Sequence, residues 1–259
     1  MLRLALRSLG YGDRFRDKAI IAAHLATVAC FPLGIAARRL GKPLPDPRTA
    51  LGEYVVRSSA GVFACPPYPS PFFLGADPMY EPGLFSLISR LSGGVFVDAG
   101  ASIGFITVRA ASRVEQVIAI EPHPTRFAYL ERNVKLNDLV NVTSINCALG
   151  DEDGTIALYD IDPSLGPHAL DVSTTPGRGR HYDVPKRRLD DLVQGKVSFL
   201  KIDVEGDELH VLNGARRLLE SRPLVVVESL HKENLGALQD SLPGYSFEQI
   251  DSSNYLASP

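Results

Sequence analysis

An apolar run that ends in three alternating charges constrains this chain more than any other segment. Residues 198–208 read Ser-Phe-Leu-Lys-Ile-Asp-Val-Glu-Gly-Asp-Glu, which delivers Lys201, Asp203 and Glu205 to one point before Gly206 turns the backbone into a helical pattern. A buried strand has no cheap use for alternating charges at its end. In an open α/β sheet the carboxyl ends of the strands form the crevice where ligands sit, so charges placed there face a ligand more readily than a core. The competing explanation is a helix N-terminus, with Asp203 as its cap and Glu205, Asp207 and Glu208 favouring the positive end of the dipole. That explanation accounts for the acids and leaves Lys201 without a reason.

About a hundred residues upstream, Gly93-Gly94-Val95-Phe96-Val97-Asp98-Ala99-Gly100-Ala101-Ser102-Ile103-Gly104 runs from a short apolar strand through a small-residue turn into a helical pattern. Small residues let the backbone approach a ligand closely, and free N–H groups at a helix start can meet an anionic group. The Gly-x-Gly-x-x-Gly spacing of dinucleotide-binding turns is absent. The next strand, Gln116–Ile120, ends in Glu121-Pro122. An acid at the end of a second strand suits two adjacent ribose hydroxyls, because a carboxylate is acceptor-only.

The surrounding pattern alternates. Helices are expected near 82–91, 103–112, 124–136, 207–220 and 231–240, and strands at 94–98, 116–120, 142–147, 197–202 and 224–228, with two late strands near 245–250 and 254–257. Such alternation predicts an α/β fold, a mostly parallel sheet with helices on both faces. Residues 150–188 break the rhythm with a hairpin-like Gly154–Tyr159 and a Gly/Pro-rich span that ends in Arg178, Arg180, His181, Lys186, Arg187 and Arg188. This insertion reads as a lid that recognises an acidic or phosphorylated acceptor, or as a solvated loop with no ligand.

These pieces resemble the FkbM family of S-adenosylmethionine-dependent methyltransferases over roughly residues 78–230. The resemblance rests on Val97-Asp98-Ala99-Gly100-Ala101-Ser102-Ile103-Gly104, on Ile120-Glu121-Pro122, and on Leu200-Lys201-Ile202-Asp203-Val204-Glu205-Gly206-Asp207-Glu208. Ser102 departs from the asparagine common in the family. The resemblance implies a Rossmann-like class I methyltransferase sheet and S-adenosylmethionine as cofactor. It would be bound by Asp98, Gly100, Ala101, Ser102, Gly104, Glu121, Pro122 and Asp203, with Ala148 and Leu149 beside the adenine. Methyl transfer to a hydroxyl requires an aligned acceptor and a base, since a neutral alcohol is a poor nucleophile. Lys201, Asp203, Glu205, Glu228 and His231 are the catalytic candidates, with Lys201 tuning a carboxylate or stabilising developing charge. The acids lack a further Asn or Asp at matched spacing, so no metal is expected. An NAD-dependent oxidoreductase on a similar sheet and a non-catalytic nucleotide-binding module are the alternatives.

At 259 residues and 45% hydrophobic composition the chain can bury one sizeable core with an appendage. A net charge of −3 argues against nucleic acid as the main partner, and the family resemblance implies a hydroxyl of a small molecule, glycan or lipid-linked saccharide as the acceptor. Residues 1–45 nevertheless hold eight Lys/Arg against Asp13 and Asp17, a local +6 that marks a separate helical unit. Within it, Ala19–Ala37 carries no charged residue over 19 positions. That stretch fits a helix pair packed on the domain or on a second copy, a membrane-surface anchor, or a span. Residues 46–77, rich in Pro66, Pro67, Pro69 and Pro71, are expected to form an irregular connector, leaving 78–259 as the catalytic domain. Cys30, Cys65 and Cys147 suggest neither a disulfide framework nor a zinc site, and the expected location is cytoplasmic, with membrane attachment through residues 1–45 as an option.

Overall fold

The computed structural model describes residues 7, 9–23, 25–26, 52–66, 75–160, 172–173, 181–229 and 234–259. The strands in chain order are β1 (Tyr54–Ser58), β2 (Gly61–Cys65), β3 (Val95–Ala99), β4 (Gln116–Ile120), β5 (Val142–Ile145), β6 (Ala148–Leu149), β7 (Gly154–Asp160), β8 (Val172–Ser173), β9 (His181–Arg187), β10 (Phe199–Ile202), β11 (Leu224–Glu228), β12 (Ser246–Gln249) and β13 (Asn254–Ser258). Seven of them form one sheet in the order β12-β13-β11-β10-β3-β4-β5. The five strands from β11 to β5 run parallel, and β13 enters antiparallel between β11 and β12. This is the α/β architecture the alternating pattern predicts.

The period-2 alternation of strand side chains divides the core between two faces. Val97, Ala99, Leu200, Ile202, Val225 and Val227 pack on one face. Phe96, Val117, Ala119, Phe199 and Val226 pack on the other, against Leu84, Phe85 and Ile88 of helix Pro82–Ser89 and Ile106 and Ala110 of helix Phe105–Ala111. Asp98, Lys201 and Glu228 continue the second face's register past its apolar residues. That parity gathers their side chains at one end of one face.

Helix Pro124–Leu136 has the expected bounds. The helix expected over 207–220 is instead split into Glu208–Asn213 and Arg216–Leu219. Two long-range contacts cause the break. A Cβ on Gly214 would come within 2.0 Å of the Gly150 carbonyl oxygen, so the chain passes there only as glycine. The Asp190 carboxylate then accepts from Arg217 N and Leu218 N at 2.9 Å each and starts the second helix. Of the helix expected over 231–240, residues 231–233 lie outside the described residues, and the described part is Leu235–Ser241.

Two of the expected boundaries fail. The connector 46–77 contains a β-hairpin, β1 paired antiparallel with β2 from Tyr54↔Cys65 to Ser58↔Gly61. Its prolines lie outside residues 54–65, which are free to make ladder bonds. Residues 15–23, expected in a separate unit, are helical and bury Ile20 and Ile21 in one cluster with Tyr54, Val56, Phe63, Ile103 and Val108. Asp17 ties the same helix to the hairpin by accepting Val55 N at 3.1 Å, and it also accepts Arg14 N at 2.8 Å at the helix's own start. Asn133 fastens the hairpin to the glycine turn: its side chain exchanges hydrogen bonds with Ala64 N at 2.7 Å and Ala64 O at 3.1 Å and donates to Ile103 O at 2.8 Å. Ile21→Ala is therefore expected to lower stability by about 2–5 kcal/mol in urea melts, the usual cost of emptying a buried isoleucine site. A detached N-terminal unit would leave the melt unchanged.

The insertion, expected as a lid or loop, holds a four-stranded sheet in the order β6-β9-β7-β8. Its basic residues are paired: Lys186 Nζ lies 3.2 Å from Glu152, Arg187 Nε 3.3 Å from Asp153, and Arg188 Nε 2.8 Å from Asp191. Arg178 and Arg180 lie outside the described residues. Among the described residues no helix is long and apolar enough to cross a membrane. Cys65 and Cys147 are buried free thiols.

Candidate active site

Lys201 is the centre of the site because three backbone elements converge on it. It pairs in register with Asp98 of β3 and Val226 of β11, and its side chain is 4% exposed. Its Nζ lies 3.0 Å from Asp203 Oδ2 and 3.5 Å from Asp98 Oδ1, and it donates to Gly100 O at 3.4 Å. Burial alone would deprotonate a lysine, but Asp203, Asp98 and Glu81 outweigh it and hold the ammonium charged well above its ordinary range. Asp98 is fully buried, and its Oδ2 accepts from Thr107 Oγ1 at 2.6 Å. It therefore anchors Lys201 and the helix start and does not open to solvent.

Asp203 and Glu228 form a carboxyl pair. Lys201 and the Glu228 hydrogen bond hold Asp203 below its ordinary value against the opposing effect of burial. Burial first, and Asp203 second, push Glu228 up to about 9. At neutral pH Glu228 is thus protonated and donates to Asp203, which makes it a poor base, contrary to its expected candidacy. Ser253 Oγ donates to Glu228 Oε1 at 2.9 Å. The folded state holds an extra proton on Glu228 between its ordinary 4.5 and about 9, so its contribution to stability falls as pH rises through that window. Glu228→Gln keeps a donor and cannot ionise. Its urea midpoint is expected to gain steadily on the natural chain from pH 5 to pH 9, and parallel curves would contradict the assignment.

Glu81, absent from the sequence candidates, joins the cluster from the start of helix Pro82–Ser89. It occupies the N-cap position without capping, because Asp251 accepts Gly83 N and Leu84 N at 2.8 Å each. The freed Glu81 side chain accepts from Asn254 Nδ2 at 3.1 Å, and Asn254 stands opposite Glu228 in the β11–β13 register. Burial raises the Glu81 carboxyl, with Lys201 opposing and Asp203 and Asp251 adding.

On the other side of β3 the glycine turn is tightly closed. Gly100 has φ +83, and a Cβ there would lie 1.7 Å from Asp203 O, so only glycine lets the two strand-end loops touch. Gly100 N and Ala101 N donate to Ile120 O at 3.0 and 2.9 Å. Ser102, at φ 51, donates its N–H to Glu121 Oε2 at 2.8 Å, and Gly104, at φ +94, opens helix Phe105–Ala111. Glu121 is 3% exposed and its other oxygen accepts His123 N at 2.9 Å, while burial raises its carboxyl. Asn146 Nδ2 holds the backbone carbonyls of Glu121 and Pro122 at 2.8 and 3.0 Å. His123 caps helix Pro124–Leu136 through Nδ1, accepting Thr125 N at 3.2 Å, and its ring meets Tyr182 of the insertion at 4.7 Å. The insertion is thus a wall beside Glu121. Ala148 and Leu149 are buried in β6, paired with Lys186 and Arg187 of β9.

The residues present fit a nucleoside cofactor. Each Glu121 oxygen retains acceptor capacity beyond its single backbone bond, and the Gly100 turn leaves backbone bare of side chains next to Lys201 and Asp203. Glu205, expected beside Lys201, is exposed on the following turn at φ 60. His231 lies outside the described residues. The capping explanation for Asp203 fails, since the N-cap of helix Glu208–Asn213 is Asp207 and Glu208 itself accepts Gly206 N at 2.9 Å. Among the described residues no three His, Cys, Asp or Glu side chains are placed so that they could hold a metal ion together.

Residues 98–253 match the family described as the Methyltransferase FkbM domain. Methyltransferase 1 of Beauveria bassiana (strain ARSEF 2860) is 30% identical over 141 residues, covering 46% of this chain and 57% of that protein. Methyltransferase sdnD of Sordaria araneosa is 32% identical over 152 residues, covering 46% of this chain and 59% of that protein. The chain therefore spans less than two thirds of the length of either relative. Methyltransferase FkbM from Methylobacillus flagellatus KT aligns with a TM-score of 0.49 and 22% identity over 72% of this chain and 52% of that one. The matched stretch opens at Asp98 and includes Glu121, Lys201, Asp203, Glu228 and Ser253, so the residues that converge at the strand ends lie inside the matched domain, and the chain belongs to the FkbM methyltransferase family.

Proposed function

We propose that this chain transfers a methyl group from S-adenosylmethionine to a hydroxyl oxygen of a small molecule, a glycan or a lipid-linked saccharide. The observation that carries the reading is the contact of Lys201 and Asp203 with the Gly100 turn, which sets an ionised carboxylate against a backbone cradle beside Glu121. Glu121 would hold the ribose hydroxyls, Ala148 and Leu149 would flank the base, and the Gly100–Gly104 turn would take the amino-acid end. Bound there, S-adenosylmethionine supplies an activated methyl and keeps the electron pair of the broken bond on sulfur.

The chain's own residues then handle the acceptor. Lys201 keeps Asp203 ionised, and the charge of this pair positions the acceptor so that an oxygen lone pair is aligned. The hydroxyl proton needs a carboxylate that is not already committed. Asp98 is sealed off, Asp203 accepts from Lys201 and Glu228, and Glu228 is protonated. Among the described carboxyls at the strand ends Glu81 is the one left to take that proton: its carboxyl is raised, which makes it a stronger proton acceptor than Asp203, and Asn254 fixes its position.

Titration calorimetry with S-adenosylmethionine, S-adenosylhomocysteine and NAD tests the reading, with binding of the first two and not the third as the expected result. Glu121→Ala is expected to weaken S-adenosylhomocysteine binding by about 1.5–3 kcal/mol, the worth of a charge-assisted contact. Unchanged affinity would remove Glu121 from the cofactor site.

A further inference from the structure

The helix over residues 15–23 presents an apolar stripe on the side facing away from the core. Asp17, Ile20 and Ile21 face the protein and are buried. At 100° per residue, Phe15, Ala19 and Ala22 line the opposite side, and all three are exposed, Phe15 at 88%. Arg14 and Lys18 flank the stripe on one edge and Arg16 on the other, all exposed. Inward contacts from Ile20 and Ile21 and the Asp17–Val55 bond lock the rotation of the helix, so Phe15 cannot turn into the core. Nearby Asp13 is neutralised by Arg57 Nε at 2.9 Å, which leaves the surface cationic.

A large exposed aromatic between cations on a rigidly held helix matches the headgroup region of an anionic bilayer, where the ring enters the acyl boundary and the Lys/Arg ends meet lipid phosphates. Charge complementarity favours this occupant over a second copy of the chain. Two identical faces related by a twofold axis would set Arg14, Arg16 and Lys18 against their own counterparts, within a segment of local charge +6. We infer that Phe15, with Arg14, Arg16 and Lys18 around it, docks the protein on the surface of anionic membranes. This inference is independent of the methyl-transfer reading.

Sedimentation with vesicles of phosphatidylcholine containing roughly 30% phosphatidylserine, an anionic surface of the kind that attracts basic segments, tests it on the full chain. Binding is expected at low salt, with a loss of at least about 10-fold on raising salt to about 0.5 M, a concentration that shortens screening to roughly 4 Å. Arg14→Glu with Lys18→Glu is expected to cut the partition coefficient at least about 10-fold, and Phe15→Ser about 5-fold or more, with unchanged melting temperatures. Val140→Ser, at another exposed apolar residue, serves as the control and is expected to have no effect. Equal binding to pure phosphatidylcholine, or no binding at low salt, would overturn the inference. So would dimerisation in sedimentation equilibrium that Phe15→Ser abolishes, since the stripe would then be a protein interface.

Discussion

Lys201→Met is expected to lower the stability of the fold by about 3–5 kcal/mol, the cost of leaving buried acids without their cation. Methionine fills much of the same volume, so a cavity contributes little and the loss reports the charge. Asp98 is fully buried with Lys201 as the cation on its Oδ1, and Asp203 would face the protonated Glu228 alone. The cell of charges would relax by protonation, so the deficit is expected to shrink as pH falls toward about 4, where carboxylates neutralise. Urea melts of the variant and the natural chain at about pH 4.5 and pH 7.5 check both points. A variant as stable as the natural chain at the higher pH would mean that water reaches Asp98 after all.

Asp203→Asn is expected to retain S-adenosylhomocysteine binding and a near-natural melting temperature while methyl transfer falls by at least about 10²-fold, the usual cost of a misplaced acceptor. Asparagine keeps an acceptor for Lys201 and loses the charge that aligns the acceptor hydroxyl. The same change removes a cause of the raised Glu228 carboxyl, whose titration is then expected to move down from about 9. Carboxyl-carbon NMR follows that shift without an acceptor. If the Asp203→Asn change unfolds the protein, the Lys201 cluster is structural, and the catalytic role assigned to it is wrong.

The arrangement also explains why one lysine sits among four carboxyls. Each acid has a different task set by its surroundings: Asp98 anchors, Asp203 stays ionised, Glu228 stays protonated, and Glu81 is raised by burial. Separating the proton affinities of neighbouring groups in this way is how one cleft holds both a donor and an acceptor at neutral pH.

Much of the cluster was legible in the chain because local periodicity encodes it. Lys201 in β10 and Asp203 just past its end are two apart, and Asp203 N keeps up the ladder by donating to Ala99 O at 3.0 Å, so they share a face wherever that strand goes. Asp98 stands near the end of β3 and Glu121 just after β4, strands that glycines and prolines delimit, and the helix Pro124–Leu136 carries its own start signal. Glu205 is the exception that shows the limit of the rule: alternation stops when Gly206 forces the turn, and the left-handed backbone carries Glu205 to solvent.

Glu81, Ser253 and Asn254 carried no comparable signal. They meet because β13 inserts antiparallel beside β11, which brings Asn254 opposite Glu228, and because Asp251 reaches back across the fold to cap the helix that Glu81 precedes. The same holds for the N-terminal helix, whose composition marked it as detached while Ile20 and Ile21 found their partners on a hairpin formed by residues 54–65. Residue order thus sufficed for the strand–turn–helix units and the face each charge takes, since those depend on backbone geometry within a few residues. Which distant carboxyls share a dielectric with Lys201, and so which are charged, depended on the closing of the sheet, because proton affinity is set by burial and neighbouring charge that exist only once the chain is packed.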